Sequence, residues 1–198
     1  MSGESRNTQV IVLAAGKGRR MNSDLPKVLH VMNGRTLLDH VLETVAASNI
    51  DPHPVVVLGY QGEAVKAILP AHCREAWQKH QGGTGHAVRC ALETMEDGCS
   101  NVLVLYGDMP LVRPETIQRL VEVHVCTGSV ISMTTIVVDD FGSWRTSLAD
   151  YGRVLRDPRG DIIGVREVRD ASPDELLVRE VNPSHFCFSA EWLREALP

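Results

Sequence analysis

The run Val10 to Lys27, VIVLAAGKGRRMNSDLPK, limits the fold of this chain more than any other stretch. Val10 to Leu13 is apolar and largely β-branched, the pattern of a buried strand. The chain then passes through Ala14-Ala15-Gly16-Lys17-Gly18, where no bulky side chain covers the backbone. A strand opening into such a loop leaves backbone N–H groups free to face an anion, and Arg20 and Lys27 add positive charge. Pro26 fixes the backbone just before Lys27. The stretch reads as a seat for a polyphosphate, although Gly16 and Gly18 alone would equally suit a tight turn. It is not a P-loop, because no Gly-Lys-Ser/Thr closes it. Nor is it the dinucleotide fingerprint, whose third glycine would fall at Met21, so a dinucleotide-dependent oxidoreductase is a weak alternative.

Length and charge narrow the class. The 198 residues suffice for one domain with a real core. A net charge of −5 argues against a nucleic-acid surface, yet allows one anionic ligand in a locally basic pocket. No apolar run reaches the length of a membrane span, and Met1 to Gln9 lacks the apolar core of a signal peptide. The five cysteines form no CxxC and sit at no zinc spacing from a histidine, so free thiols in a reducing, cytoplasmic setting are expected.

Along the chain, strands and helices alternate. Helices are predicted over residues 36–49, 63–69, 85–95 and 114–125, and strands over 10–13, 55–58, 74–78, 102–106 and 129–138. The strand over 102–106 is apolar throughout and should be central. This order implies an α/β, Rossmann-like, mostly parallel sheet with helices on both faces. Ligands in such sheets gather at the carboxyl ends of the strands, so the loops at Ala14, Gln81 and Asp108 can converge. The last third changes texture: strands over 151–157 and 162–167 flank the turn Asp157-Pro158-Arg159-Gly160, and residues 181–189 are mixed. A short helix at Ser172-Pro173-Asp174-Glu175 and a closing helix over 190–197 follow, while 141–149 reads as a surface loop. One domain is expected, with residues 1–8 a mobile lead, 9–138 the nucleotide-binding part and 139–198 a smaller β-rich lobe.

Three further groups carry chemistry. Tyr106-Gly107-Asp108-Met109-Pro110 puts a carboxylate at a strand end beside the phosphate loop. Asp108 could merely cap that loop, but Mg²⁺ needs only one or two carboxylates when phosphate oxygens complete its shell. Gln78-Lys79-His80-Gln81-Gly82-Gly83-Thr84-Gly85-His86-Ala87 offers amides suited to the edge of a pyrimidine ring. It would serve as well as a polar loop and helix start, with Thr84 as N-cap. Tyr151-Gly152-Arg153, Glu167 and Asn182 form a diffuse third group, unremarkable singly.

Taken together, the strings LAAGKGRRM, LPK, YGD and QxxQxGTGHA resemble those of the sugar nucleotidyltransferases. The chain is most similar to the uridylyltransferase domain of the bifunctional N-acetylglucosamine-1-phosphate uridylyltransferases. That resemblance implies the nucleotide-diphospho-sugar transferase fold and UDP-N-acetylglucosamine synthesis for cell-wall peptidoglycan. The partners it implies are UTP, N-acetylglucosamine-1-phosphate and the product pyrophosphate. It implies Arg20, Lys27 and Asp108 as catalytic residues, with Asp108 a ligand of Mg²⁺. Leu13, Ala14, Ala15, Gly16, Lys27, Gln78, Gln81, Gly83 and Thr84 would bind the nucleotide. Tyr106, Gly152, Glu167 and Asn182 would bind the sugar. Asn182 is followed by Pro183-Ser184 where the family has Thr-Gly, which leaves the sugar open. The family's domain continues beyond the equivalent of Pro198, supplies a second metal ligand there, and forms its trimer through a further β-helical domain, so no trimer is expected. A nucleotidyltransferase for another base or sugar phosphate, and a catalytically silent nucleotide-binding module, remain as alternatives.

Overall fold

A computed structural model describes residues 7–18, 23–96 and 98–197 of the chain. Its elements run β1 (Thr8–Leu13), β2 (Val31–Met32), β3 (Arg35–Thr36), α1 (Leu37–Ser48), β4 (Val55–Leu58), α2 (Gly62–Lys66), β5 (Arg74–Trp77), α3 (Thr84–Leu92), β6 (Asn101–Tyr106) and α4 (Pro114–Thr127). There follow β7 (Ile131–Met133), β8 (Ile136–Val137), β9 (Arg153–Arg156), β10 (Ile162–Arg166), α5 (Pro173–Leu176), β11 (Glu180–Val181), β12 (Phe186–Ser189) and α6 (Ala190–Ala196). Among the described residues no helix is long and apolar enough to cross a membrane.

The chain divides into two compact units: Met133–His185, and the rest of the described chain. The larger unit is built on a sheet of order β5-β4-β1-β6-β12-β7. β5, β4, β1 and β6 are parallel, while β12 joins β6 antiparallel, with Phe186 opposite Val104. This is the expected mostly parallel α/β sheet, and β6 is central as expected. Alternation of side chains along each strand splits the core in two. Val10, Val12, Val56, Leu58, Leu103 and Leu105 pack with α1, α2 and α4 residues such as Leu38, Val65 and Ile117. Ile11, Leu13, Val55, Val57, Val102 and Val104 pack with Val88 and Ala91 of α3 and Leu193 of α6. A strand covered on both faces cannot alternate apolar with polar, which is why VIVL and VVVL read as unbroken apolar runs.

Local signals set the ends of the helices. Thr36 and Asp39 form a capping box at α1, and Asn49 closes it in the left-handed region. Pro114 opens α4 and Gly128 ends it. The start of α3 departs from expectation. Gly83, at φ 90°, takes the cap position, and Thr84 is the first helical residue instead of the N-cap. Its hydroxyl is thereby freed to face the Tyr106 hydroxyl at 3.5 Å.

Three further expectations need correction. The single strand over 129–138 is two short strands in different sheets. Between them Thr134 donates its N–H to the His185 carbonyl at 3.1 Å instead of to a neighbouring strand, which ends the ladder. The lead of residues 1–8 is also shorter than expected, since Thr8, 2% exposed, already pairs with Asn101 in the sheet. Residues 1–6 lie outside the described residues. The closing segment, assigned with the lobe from sequence, returns to the larger unit because β12 pairs with β6.

The smaller unit holds the sheet β10-β9-β11-β8. β9 and β10 form the expected hairpin, antiparallel with a bulge between Ile162 and Gly164. Ser172 and Glu175 form the capping box of α5. The region expected as loop over 141–149 contains a 3₁₀ segment, Ser143–Asp150.

Candidate functional site

The site lies in the larger unit, at the carboxyl ends of the parallel strands, in a cavity of about 540 Å³. Three strand ends build it. β1 runs into the glycine loop, whose base is anchored: Ala14 N–H donates to Val57 O at 3.0 Å, and Ala15 O accepts from Tyr60 N–H at 3.1 Å. Beyond Ala15, the N–H groups of Gly16, Lys17 and Gly18 take no backbone partner among the described residues. β6 runs into Gly107, whose N–H donates to Leu13 O at 2.9 Å, and so sets Asp108 beside the β1 loop. β5 runs into the glutamine turn, and the Gln81 amide ties that turn back to Ala15 O at 2.9 Å.

Of the residues singled out in the sequence, Leu13, Ala15, Gly16, Lys27, Gln78, Gln81, Gly83, Thr84, Tyr106 and Asp108 line this one cavity. Ala14 does not line it, because it is buried at 1% exposure with its N–H committed to Val57. Arg20 lies outside the described residues. Gly18, Val28 and Ala87 complete the lining. Ala87 closes the glutamine motif, whereas Val28 is an apolar neighbour of Lys27 and carries no signal of its own in the sequence.

Charge is concentrated at one point. The Lys27 ammonium sits 2.5 Å from an Asp108 carboxylate oxygen, with the side chains 41% and 21% exposed. Pro26 leads into a single 3₁₀ turn, Lys27–Leu29, and buried Val28 pins that turn to the core. A pair so exposed adds at most about 1 kcal/mol to stability. Its value is chemical: a cation donor and an anion acceptor stand side by side on the cavity wall. Among the described residues no group of three or more His, Cys, Asp and Glu could hold a metal ion. One carboxylate already facing a positive charge fits a hard cation that arrives with phosphate oxygens, not one caged by protein alone.

No cysteine is among the described residues that line the cavity. Cys73, Cys90, Cys99, Cys126 and Cys187 are all free. Burial pushes Cys187 up to about 12 and Cys73 up to about 11, so neither is a thiolate near neutral pH.

Within the smaller unit, Gly152, Glu167 and Asn182 come together. Asn182 donates its N–H to Gly152 O at 2.9 Å, and a Cβ on Gly152 would lie 3.4 Å from Glu167 Oε1. Arg153, only 2% exposed, holds this corner with no acid in hydrogen-bond contact among the described residues. Its guanidinium donates to the carbonyls of Tyr151, Ala149 and Leu176 and lies 4.5 Å from the Phe141 ring centre. Burial holds its pKa below the ordinary arginine value. Asn182 Oδ1 accepts from Ser184 N–H at 2.7 Å, and Ser184 takes φ 65°. Sequence reasoning gave Arg153 no role of its own.

Comparison with known proteins places the chain in a family. Residues 10–161 match the model of the MobA-like NTP transferase domain. The chain belongs to the MobA-like NTP transferase family. Relatives named Bifunctional protein GlmU include that of Corynebacterium aurimucosum, 39% identical over 98% of this chain and 40% of its own length. Another, from Kineococcus radiotolerans, is 43% identical over 95% of this chain and 37% of its own length. The chain thus spans about two fifths of these relatives. Among solved structures, HddC from Yersinia pseudotuberculosis superimposes with a TM-score of 0.71 at 16% identity, covering 94% of this chain and 79% of its own. CMP:2-keto-3-deoxy-manno-octonic acid synthetase complexed with CTP gives 0.69 at 16% identity, covering 96% of this chain and 78% of its own. The last two likenesses establish a shared fold.

Proposed function

We propose that this chain makes UDP-N-acetylglucosamine and pyrophosphate from UTP and N-acetylglucosamine-1-phosphate, in the cytoplasm and with Mg²⁺. The observation that carries this reading is convergence. The glycine loop, both glutamines and the Lys27–Asp108 pair line one cavity, although Lys27 and Asp108 lie far apart in the sequence. The GlmU relatives support the choice of base and sugar.

In this reading the triphosphate lies along Leu13–Gly18, where N–H groups take no backbone partner among the described residues, with Lys27 as its cationic contact. Arg20 is assigned to the phosphates by its place in the sequence. The uracil edge meets Gln78, Gln81 and the Gly83–Thr84 backbone. Asp108 is the residue that would hold Mg²⁺. Bound there, the ion would neutralise phosphate charge. Gly152, Glu167 and Asn182 are the residues assigned to the amino sugar, with Tyr106.

An oxygen of the sugar phosphate attacks the α-phosphorus of UTP. The bond from that phosphorus to the bridging oxygen breaks, and the electron pair leaves with pyrophosphate. The attacking phosphate is already an anion, so no protein base or nucleophile is needed. Rate then comes from alignment and from positive charge placed where negative charge builds. In this reading Lys27 would turn from Asp108 to a phosphate oxygen, and the Asp108 carboxylate so released is the group that would hold the divalent cation.

The test is pyrophosphate release from UTP and N-acetylglucosamine-1-phosphate with Mg²⁺, run beside CTP, GTP and glucose-1-phosphate. Release with the first pair in preference to the others is expected. Equal release with every nucleotide, or UTP binding without release, would refute the assigned activity.

A further inference from the structure

Building on the uridylyl reading of this cavity, we propose that His86 is a positioning residue that sets base choice by fixing the Gln78 amide. Gln78, 6% exposed, lines the cavity. Two neighbours leave its amide only one orientation. The Gly83 carbonyl, which can only accept, lies 2.9 Å from Nε2. His86 Nδ1 lies 3.3 Å from the same nitrogen.

The tautomer of His86 follows from its neighbours. The backbone N–H of Gly82, which can only donate, points at His86 Nδ1 from 3.3 Å. Nδ1 is therefore an acceptor, and the ring proton sits on Nε2, 3.6 Å from Cys90 Sγ. The ring packs tightly on the turn, since a Cβ at Gly82 would fall 2.8 Å from Nδ1. Both Nε2 hydrogens of Gln78 are thus used within the protein. Its Oε1 has no hydrogen-bond partner among the described residues and is left to the ligand.

A fixed carbonyl on the cavity wall demands an N–H from the base. Uracil presents one at its ring imide; cytosine presents a lone pair at the same atom. Rotating the amide to suit cytosine would turn Oε1 against the Gly83 carbonyl and the His86 lone pair together. A buried site built to meet one hydrogen-bonding pattern rejects the reverse strongly. His86 supplies the second of the two anchors and also holds Gly82, so the discrimination is not the property of Gln78 alone.

The experiment measures UTP and CTP binding and pyrophosphate release for the wild type, His86→Leu and His86→Asn. The leucine removes the acceptor at similar bulk; the asparagine keeps an oxygen acceptor near the place of Nδ1. His86→Leu should lose roughly tenfold of the UTP-over-CTP preference, mainly as a higher KM for UTP with kcat changed less. His86→Asn should retain most of the preference. A full preference in His86→Leu, or an equal loss in both variants, would overturn the proposal. Proton-coupled ¹⁵N spectra of the wild type provide a check that needs no variant. They should show His86 protonated at Nε2, and a proton at Nδ1 would overturn the proposal even if His86→Leu fails to fold. A wild type with no preference for UTP would instead bring down the reading of the base, and the inference with it.

Discussion

Two glycines of one loop should respond differently to alanine, and the difference tests how the loop positions Lys27. Gly18 has φ 63°, and a Cβ there would sit 2.8 Å from Lys27 Cβ. Gly16 has no left-handed torsion, and a Cβ there meets nothing within 4 Å among the described residues. In Gly18→Ala the left-handed backbone costs about 1 kcal/mol. The overlap adds a cost of the same order, because the atom it meets is at the root of the lysine and cannot swing aside. Some 2 kcal/mol in all would lower Tm by roughly 4–8 °C in a chain of this size. Any relief by shifting Lys27 moves its ammonium off the phosphate path, and a misplacement near 1 Å can cost about a hundredfold in rate. Gly18→Ala should therefore lower both Tm and turnover. Gly16→Ala should leave Tm unchanged and raise the KM for UTP, because its methyl enters the cavity. Thermal melts and steady-state pyrophosphate release decide the matter. Equal Tm in both variants would refute the packing argument, and an unchanged KM in Gly16→Ala would refute the path assigned to the triphosphate.

Other consequences can be checked separately. Lys27→Ala should cut turnover by about a hundredfold or more, as the loss of a cation at the reacting phosphates does. Uridine, which carries no phosphate, should still bind with nearly wild-type affinity by calorimetry; unchanged turnover would sink the assignment. Ser184→Gly should raise stability by up to about 1 kcal/mol, a Tm gain of roughly 2–4 °C, by relieving the left-handed serine at φ 65°; a lower Tm would contradict this. His124 is buried with Nδ1 2.9 Å from Ser132 Oγ, and burial lowers its pKa below the ordinary histidine value. The unfolded chain then binds the proton more readily, so stability should fall as pH drops from about 7.5 through the usual histidine range near 6.5. His185, lowered by burial too, acts with the same sign. Melts from pH 8 to 5.5 should show the slope weakened in His124→Gln, and an unaltered slope would exclude the assignment.

The parts of this fold that could be read from the sequence are those whose cause is local. Val55–Leu58 is a buried strand because four apolar, mostly β-branched residues in a row suit a strand covered on both faces. The bounds of α1 follow from Thr36, Asp39 and Asn49, which satisfy its ends directly. Thr134 carries no comparable mark. Residues around it are as β-branched as any strand, and only the His185 carbonyl, 51 residues away, takes its N–H out of the ladder. The return of Phe186–Ser189 to the central sheet is set by its pairing with β6, and a mixed segment gives no sign of such a partner. Asp51 shows the same limit for polar groups. It is 6% exposed and looks like any acid after a helix, yet its two oxygens accept from Val10 N–H and His53 N–H, each at 2.8 Å. It supports β1 and takes no place in the cavity.

The candidate site was legible for a different reason. Its residues are short strings at strand ends, and parallel strands bring their ends to one side. What the strings do not contain is the orientation of each polar group, and chemistry depends on that. Lys27 and Asp108 could each have faced solvent; they meet across 2.5 Å because Pro26, Val28 and Gly107 fix their backbones. Gln81 could have offered the cavity either end of its amide; Ala15 O takes the nitrogen. Groups held in place by the protein do not pay for ordering when a ligand arrives, so more of the contact energy remains for alignment of the reacting phosphates. Loosening a backbone support such as Val28, through Val28→Ala, should therefore lower kcat for the assigned reaction without removing any group that meets the nucleotide's charge.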